Sequence, residues 1–278
     1  MTATVTPPLP ATDVASTKRS RRGRKLSRTT IIGRWVAALL FVALLLAWEL
    51  GGLAGGQRMF SRPTLVVERF IDMVATGDLW HNLFATVWAM LGGLVIGMVV
   101  GVVLGVLMGK FAIAGTIFDP YVIGINGLPR VALGPFLVVW FGIGLFSKMI
   151  LAASLVFVGV LFNVREGVES VDKDLVDAMR SMRASRWELT KDVLIPSLAP
   201  WLFAALKVAI GFALTGAVIG ELVGASEGLG WYISNALSVI DITGAVTALV
   251  LLALLALVMY LIVIVIERRY LHWRSAAR

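Results

Sequence analysis

The sequence predicts an all-α membrane protein with about six transmembrane helices. Of its 278 residues, 59% are hydrophobic and 15% are charged, and the mean hydropathy is +0.90, whereas soluble domains carry about 25% charged residues. Six apolar segments have the roughly 20 residues that a spanning helix needs. Basic residues concentrate in an N-terminal tail, a central polar segment and a C-terminal tail. This distribution is typical of the cytoplasmic parts of a polytopic membrane protein.

The candidate spans determine the predicted topology. They are residues 33–53, 83–109, 113–141, 147–162, 201–223 and 244–266. A basic N-terminal tail on the cytoplasmic side and an even number of spans place both termini and the polar segment 163–196 in the cytoplasm, and the opposite loop, 225–243, holds no Lys or Arg. The predicted organisation is therefore a flexible basic tail, 1–32, followed by a transmembrane domain, 33–278.

Between the first two spans, residues 59–81 are too polar to cross a bilayer. Val66 and Met73 belong to a short apolar stripe, and Pro63 and Gly77 stand where a helix would begin and end. The pattern predicts an amphipathic helix that lies at the outer membrane interface. This helix is either a simple connector or a docking surface for an external partner.

The second span repeats glycine at every fourth position, which places the glycines on one helix face. Another helix can approach closely where side chains are missing, and such contacts drive helix association in lipid. We therefore expect tight packing within one subunit, with a direct role in conduction as the alternative. The predicted helix-packing residues are Gly93, Gly97, Gly101 and Gly105.

Arg130 interrupts the third span between two prolines, of which Pro135 is the second. Ionisable groups at membrane depth are costly and usually face a cavity or a partner, and a broken helix frees backbone groups that need protein or water beside them. Asn126, one turn earlier, can share the face of Arg130. The arginine either attracts or gates an anionic solute, or pairs with a carboxylate such as Asp119 or Glu221, or extends to one surface.

Glu221 stands near the outer end of the fifth span, just before the glycine-rich residues 224–230. A carboxylate at that position either closes the outer mouth of a solute path or caps the outer loop, and the sequence favours neither. The predicted translocation-path residues are Asn126, Arg130, Pro135 and Glu221.

The sequence offers little catalytic chemistry. It contains no cysteine, so disulfides and thiolate metal sites are excluded, and its two histidines have no metal-ligand partner at motif spacing. The run from Gly105 to Phe111 has one spacer residue too few for a phosphate-binding loop and lacks its Ser or Thr. We therefore predict no enzyme activity, no metal and no cofactor bound by this chain. ATP chemistry would have to come from another chain.

The polar segment 163–196 is too long for a turn and too polar for a membrane span. Its apolar residues recur at helical spacing from Val168 to Met182, and charged residues such as Asp172 and Arg180 occupy the other faces. The pattern predicts a helical element that a cytosolic partner can grip.

Several motifs resemble one known family. The run 177–189, DAMRSMRASRWEL, followed by Ile195 and Pro196, resembles the cytoplasmic EAA loop of binding-protein-dependent ABC importer permeases. The run 128–144, LPRVALGPFLVVWFGIG, is similar to the signature of the branch that handles nitrate, sulfonates, taurine and bicarbonate. ELVGASEGLG at 221–230 and FSRPT at 60–64 match the same branch.

The resemblance implies a type I ABC importer (MetI-like) permease fold that works by alternating access in the bacterial inner membrane. The implied partners are two cytosolic ATPase subunits that bind ATP and Mg, an extracytoplasmic solute-binding protein, a second permease copy in a homodimer and membrane lipid, with no nucleic acid. The implied solute is a small anion of the nitrate, sulfonate, taurine or bicarbonate class. The alternatives are an aromatic acid or a pyrimidine vitamin precursor, or an ATP-independent channel or facilitator.

The resemblance also assigns the ATPase-coupling residues, which form a short helix and the turn after it. Asp177 stands where the family has glutamate, and Arg183 stands where the family has glycine at a sharp turn. Arg183 either straightens that turn or adds a charge contact with the ATPase. The predicted coupling residues are Asp177, Ala178, Met179, Arg183, Ala184 and Trp187.

Overall fold

A computed structural model describes residues 28–54 and 61–271, and within these ranges every regular element is helical. The helices are α1 (Arg28–Ala54), α2 (Pro63–Thr76), α3 (Asp78–Lys110), α4 (Ala112–Gly127), α5 (Leu133–Phe141), α6 (Leu145–Glu169), α7 (Lys173–Ser181), α8 (Arg186–Glu188), α9 (Ile195–Gly224), α10 (Leu229–Ser238) and α11 (Ile242–Tyr270). A 3₁₀ turn, Arg130–Ala132, precedes α5, and a π-helix, Leu189–Leu194, joins α8 to α9. Most of the predicted basic tail, 1–32, lies outside the described residues.

The chain divides into two compact units between Ala47 and Trp48. The described part of the first unit is the apolar α1 up to Ala47. The second unit contains the end of α1 and all the other helices. Each unit has its own internal contacts.

Five helical stretches among the described residues are long and apolar enough to cross a membrane, and a bent pair of helices makes six if it counts as one span. The five are Ile32–Ala54, Asp78–Lys110, Leu145–Glu169, Arg186–Gly224 and Ile242–Tyr270. The bent pair is α4 with the Arg130–Phe141 segment. The prediction of an all-α membrane protein with about six spans is confirmed.

The bent pair corresponds to the predicted third span, and it turns by 77° at the break. Leu128 is extended, with φ −71° and ψ 135°, as expected for a residue before proline, because the ring of Pro129 disfavours a helical conformation there. Pro135 does not interrupt the helix. It lies in the first turn of α5, where a missing N–H costs no helical hydrogen bond.

The core of the second unit forms where α3, α6 and α9 pack together, with α10 and α11 against them. The α3–α6 contact is the most extensive, and in it the predicted glycine face of α3 lies directly against α6. A Cβ atom built on Gly97 would stand 2.6 Å from Cβ of Val156, and one on Gly101 would stand 2.6 Å from the carbonyl oxygen of Phe157. No side chain fits between the two backbones at these positions.

The short helix α2 is bounded as its sequence indicates. Pro63 occupies the first turn, and Gly77 ends the helix in the left-handed region at φ 87°. Val66 and Met73 are buried. Arg69 pairs with Asp241 at 2.7 Å, and this ion pair ties α2 to the start of α11. The location of α2 at a membrane interface stays a prediction.

The polar segment 163–196 is not one helix, although its apolar spacing runs unbroken from Val168 to Met182. Helix α6 continues through Glu169, the chain turns over residues 170–172, and α7 begins at Lys173. The side chain of Asp172 accepts a hydrogen bond from the N–H of Asp174 at 2.9 Å. This N-cap starts the new helix, a local signal that the periodicity alone does not show.

Candidate functional site

The predicted coupling segment, residues 173–194, is called the coupling segment below and combines a charged helix with exposed apolar side chains. Met182 is 79% exposed and Trp187 is 69% exposed, although both are large apolar residues in a polar part of the chain. Asp177 and Ala178 are exposed as well, whereas Met179 and Ala184 are partly buried. Exposed apolar side chains beside charges are typical of a surface that docks another protein.

Arg183 adopts a backbone conformation that usually requires glycine. Its φ is 58°, in the left-handed region that costs an L-residue about 1–2 kcal/mol. The turn is a Schellman motif: the N–H of Arg183 donates to the carbonyl of Arg180 at 2.9 Å, and the N–H of Ala184 donates to the carbonyl of Met179 at 3.0 Å. Arg183 therefore keeps the sharp turn and does not straighten it.

A second helix begins at once after this turn. The hydroxyl of Ser185 accepts from the N–H of Glu188, and the carboxylate of Glu188 accepts from the N–H of Ser185 at 2.6 Å. This capping box satisfies two free donors at the start of α8. From Arg186 the backbone is helical without interruption to Gly224. The coupling segment is thus continuous with a membrane-spanning helix.

Arg165, which sequence reasoning did not single out, braces the neighbouring end of α6. It pairs with Asp119 of α4 and, at 2.8 Å, with Glu169 one turn later on α6. Asp119 is therefore not the partner of Arg130. The pairing of Arg165 with Glu169 could be expected from their spacing of four residues on one helix. Asp119 is 46 residues from Arg165 in the chain, so no local pattern predicts that pairing.

Arg130 connects the break between α4 and α5 to α6. Its guanidinium donates to the backbone carbonyl of Leu155 on α6 at 3.2 Å and to Oδ1 of Asn126 at 2.8 Å. The structure brings Asn126 and Arg130 together, while Pro135 lies exposed in α5. Neither of the carboxylates expected from sequence is the partner of Arg130, because the side chain instead bonds an amide and a backbone carbonyl.

At the start of α3, far from the coupling segment, lies a buried polar network formed by Asn82, Thr86, Lys148 and Glu221. These four side chains are only 0–3% exposed. They come from three helices, α3, α6 and α9, and surround the N-terminal end of α10. Buried polar groups of this kind are stable only when they are hydrogen-bonded, so their partners show what the network holds.

The network caps three successive backbone N–H groups at the start of α10. The N–H of Gly228 donates to Asn82 at 3.0 Å, that of Leu229 donates to Thr86 at 2.8 Å, and that of Gly230 donates to Glu221 at 2.8 Å. The first N–H groups of a helix have no partner inside the helix, and a carboxylate is stabilised at that end. Glu221 therefore caps α10 from the neighbouring α9.

Two further contacts complete the network. The hydroxyl of Thr86 donates to Glu221 Oε2 at 3.1 Å, and the ammonium of Lys148 donates to the carbonyl of Glu227 at 3.1 Å. Gly228 has φ 117°, and a Cβ there would collide with the carboxylate of Glu221. Sequence reasoning found Glu221 but missed the other three members, which lie between 73 and 139 residues from it and carry no shared motif.

The fold is similar to that of a chain in a solved ABC transporter. In the inward-facing MetNI methionine ABC transporter, one chain superposes with a TM-score of 0.57 at 24% sequence identity, covering 70% of this chain and 94% of that chain. At this identity the likeness shows the fold alone. The described part of the molecule therefore has the architecture of a multi-helix membrane protein.

Residues 97–272 match the family described as "Binding-protein-dependent transport system inner membrane component". The chain belongs to this family. It is a multi-pass inner-membrane permease subunit of an ABC transporter, a pore-forming component and not an enzyme. Such permeases work with ATPase and solute-binding-protein partners in general.

Three relatives extend over most of the chain. The riboflavin transport system permease protein of Chloroflexus aurantiacus is 36% identical over 94% of this chain and 97% of its own length. An Escherichia coli K12 permease protein named for aliphatic sulfonate transport is 29% identical, covering 89% and 96%. The formylaminopyrimidine transport permease protein of Halalkalibacterium halodurans is 28% identical, covering 85% and 95%.

Proposed function

We propose that this permease moves a small heteroaromatic solute, of the flavin or pyrimidine class, into the cell by alternating access. A homodimer of the chain forms the path, two cytosolic ATPase subunits bind ATP and Mg and grip the coupling segments, and an extracytoplasmic protein delivers the solute. The observation that supports coupling between the ATPase and the membrane helices is the continuous helix from Arg186 to Gly224. It connects the docking surface directly to a membrane span.

The solute class rests on the relatives and on Arg130. The relatives at 36% and 28% identity described above are named for heterocyclic solutes, riboflavin and formylaminopyrimidine. Arg130, the cation expected from sequence to attract an anion, already donates to Leu155 and Asn126. A guanidinium that holds two protein acceptors is less available to an anionic solute.

A sulfonate-class anion is the second candidate. It is favoured by the relative named for aliphatic sulfonate transport, at 29% identity, and by the branch that the signature resembles. The second class of solute carries a sulfonate group that the first lacks, so a direct comparison of uptake separates them.

Uptake tests the solute class. The chain is purified with its co-migrating ATPase and solute-binding protein, reconstituted in liposomes and supplied with riboflavin, a formylaminopyrimidine or taurine. We expect ATP-dependent uptake of a heterocycle and none of taurine. Uptake of taurine alone would replace the first candidate by the second, and uptake without ATP would contradict the importer mechanism.

The proposed orientation places both termini and the coupling segment in the cytoplasm. The chain has no cysteine, so single cysteines can be labelled without background. Ser181→Cys in α7 and Val239→Cys after α10 are both exposed positions. We expect a membrane-impermeant maleimide to label Val239→Cys, but not Ser181→Cys, in intact spheroplasts, and the reverse pattern would contradict the orientation.

A further inference from the structure

A cavity of about 520 Å³ lies behind the coupling segment. Its walls come from the end of α3, the end of α6, one side of α7, the start of α8 and the π-helix. Ligand sites in proteins typically measure about 300–1,000 Å³, so the space is large enough for the headgroup and upper chain region of a lipid. The coupling segment forms part of its wall, but the coupling role described above assigns no ligand to the space.

The cavity is lined by cations from three separate elements. Lys110 ends α3, Arg180 lies in the last turn of α7, and Arg186 begins α8. Among the described residues that line it, none is acidic. Arg180 has an acidic neighbour outside the lining, Asp177 at 3.4 Å, but both side chains are about 70% exposed, and such a pair contributes little. The cavity therefore favours an anion.

Apart from Thr190, the rest of the wall is apolar. Val168 of α6, Val176 of α7 and Val193 of the π-helix face the same space. A small hydrated anion gains nothing from these side chains, whereas the carbon portion of an amphiphile buries them from water. Cations at one part of the wall and valines at another match a molecule with an anionic head and an apolar body.

The π-helix is a second, independent sign of function at this position. Residues Leu189–Leu194 form it between two α-helical stretches, and four of its residues, Leu189, Thr190, Val193 and Leu194, line the cavity. Short π-helical segments are rare and are found frequently at functional sites. Here the wider turn forms one wall of the cavity.

The position of the cavity identifies the source of the anion. Lys110 and Phe111 lie where the membrane-spanning α3 ends, which is the depth at which lipid headgroups meet the protein. In the proposed orientation this end is cytoplasmic, and the cytoplasmic leaflet carries the anionic lipids. This step rests on the orientation given under the proposed function.

We propose that the cavity binds the phosphate headgroup of an anionic phospholipid from the cytoplasmic leaflet. Lys110, Arg180 and Arg186 contact the phosphate, and the valines contact the start of an acyl chain. The bound lipid fills the space between α7 and the ends of α3 and α6. It thereby holds the coupling segment in place and makes coupling depend on the lipid around the transporter.

The full chain in nanodiscs provides the test. Binding of spin-labelled phosphatidylglycerol is measured in discs of phosphatidylcholine, for the unmodified chain and for the double variant Lys110→Gln with Arg186→Gln. We expect the double variant to lose at least about tenfold in affinity, a change equal to about 1.4 kcal/mol. Arg268→Gln, which removes an exposed cation from the end of α11, is the matched control and should bind as the unmodified chain does.

Each other outcome overturns the proposal. Equal binding by the double variant and the control would show that the cavity is not the site. Displacement of the label by inorganic phosphate, at concentrations that leave other anionic-lipid contacts intact, would identify a soluble phosphate compound as the ligand. Because this assay measures binding without transport, its failure leaves the proposed function intact, and failed uptake leaves the lipid site intact.

Discussion

Thr86 and Glu221 are 135 residues apart in the chain, and the hydroxyl of Thr86 donates to Oε2 of Glu221 at 3.1 Å. The same hydroxyl oxygen accepts from the N–H of Leu229 at 2.8 Å. One buried threonine thus connects α3, α9 and α10. Its removal leaves both a backbone donor and a carboxylate oxygen with fewer partners.

Thr86→Val should lower stability, because valine keeps the shape of threonine and loses its hydroxyl. An unsatisfied buried polar group costs about 1–3 kcal/mol, so we expect a clear fall in the melting temperature of the purified protein and weaker uptake. Thr215→Val is the control, since its exposed hydroxyl bonds only within α9. A Thr86→Val protein as stable as this control would refute the capping role.

Gly101→Ala should weaken the contact between α3 and α6. The added methyl would stand 2.6 Å from the carbonyl of Phe157 and 2.7 Å from Cβ of Val160, and overpacking of this kind costs about 1–3 kcal/mol. The melting temperature should fall. In Gly211→Ala the methyl has nothing within 4 Å, so this variant should be tolerated. Equal melting temperatures for the two would contradict the close packing.

Substitutions of Arg183 separate backbone geometry from charge. Arg183→Gly removes the charge and relieves the left-handed conformation, so it should keep assembly with the ATPase and stabilise the turn by about 1 kcal/mol. Arg183→Val should reduce assembly, because a β-branched residue at φ 58° is strained. The measurement is the amount of ATPase that co-purifies. Loss of assembly in Arg183→Gly would instead show that the charge contacts the ATPase.

Asp177→Lys should uncouple ATP hydrolysis from solute delivery without harming the fold. Asp177 is exposed, and its pair with Arg180 lies at 3.4 Å on the helix surface, where such pairs contribute at most about 1 kcal/mol. We expect unchanged membrane insertion and melting temperature, together with reduced stimulation of ATP hydrolysis by the loaded binding protein. Normal stimulation of ATP hydrolysis would show that Asp177 is not part of the coupling surface.

Arg130→Ala should act on structure more than on solute charge. The variant loses the bonds to Leu155 and Asn126 that tie the bent pair to α6, so the melting temperature should fall. Uptake should decrease for every transported solute to a similar degree, and Arg130→Lys should restore part of the stability. A selective loss of anion uptake at unchanged stability would support a direct role in solute attraction.

Features that depend on the spacing of residues within one helix or turn could be predicted from the sequence. Apolar segments of sufficient length predicted the spans, and the glycines from Gly93 to Gly105 indicated the face of α3 that lies on α6. Arg183 at a family glycine position pointed to the turn where a left-handed conformation occurs. Each of these signals depends on residues within a few turns of one another.

Partners that are distant in the chain could not be read in the same way. Asn82 and Thr86 read as ordinary polar residues near the start of a span, and nothing local connects them to Gly228 or Leu229. Arg130 bonds a backbone carbonyl, and every residue offers one, so residue types cannot identify that partner. The cavity behind the coupling segment depends on how five helical elements meet.

The contact between α3 and α6 has a mechanical consequence. Helix α3 has 33 residues, so at 1.5 Å per residue it is about 50 Å long, and its glycine face leaves no layer of side chains that could absorb a displacement against α6. We therefore expect the two helices to move as one rigid body. Thr86 stands near one end of α3 and Lys110 at the other, so a displacement applied by the proposed ATPase partner at the coupling segment should reach the cap of α10 as a rotation of both helices.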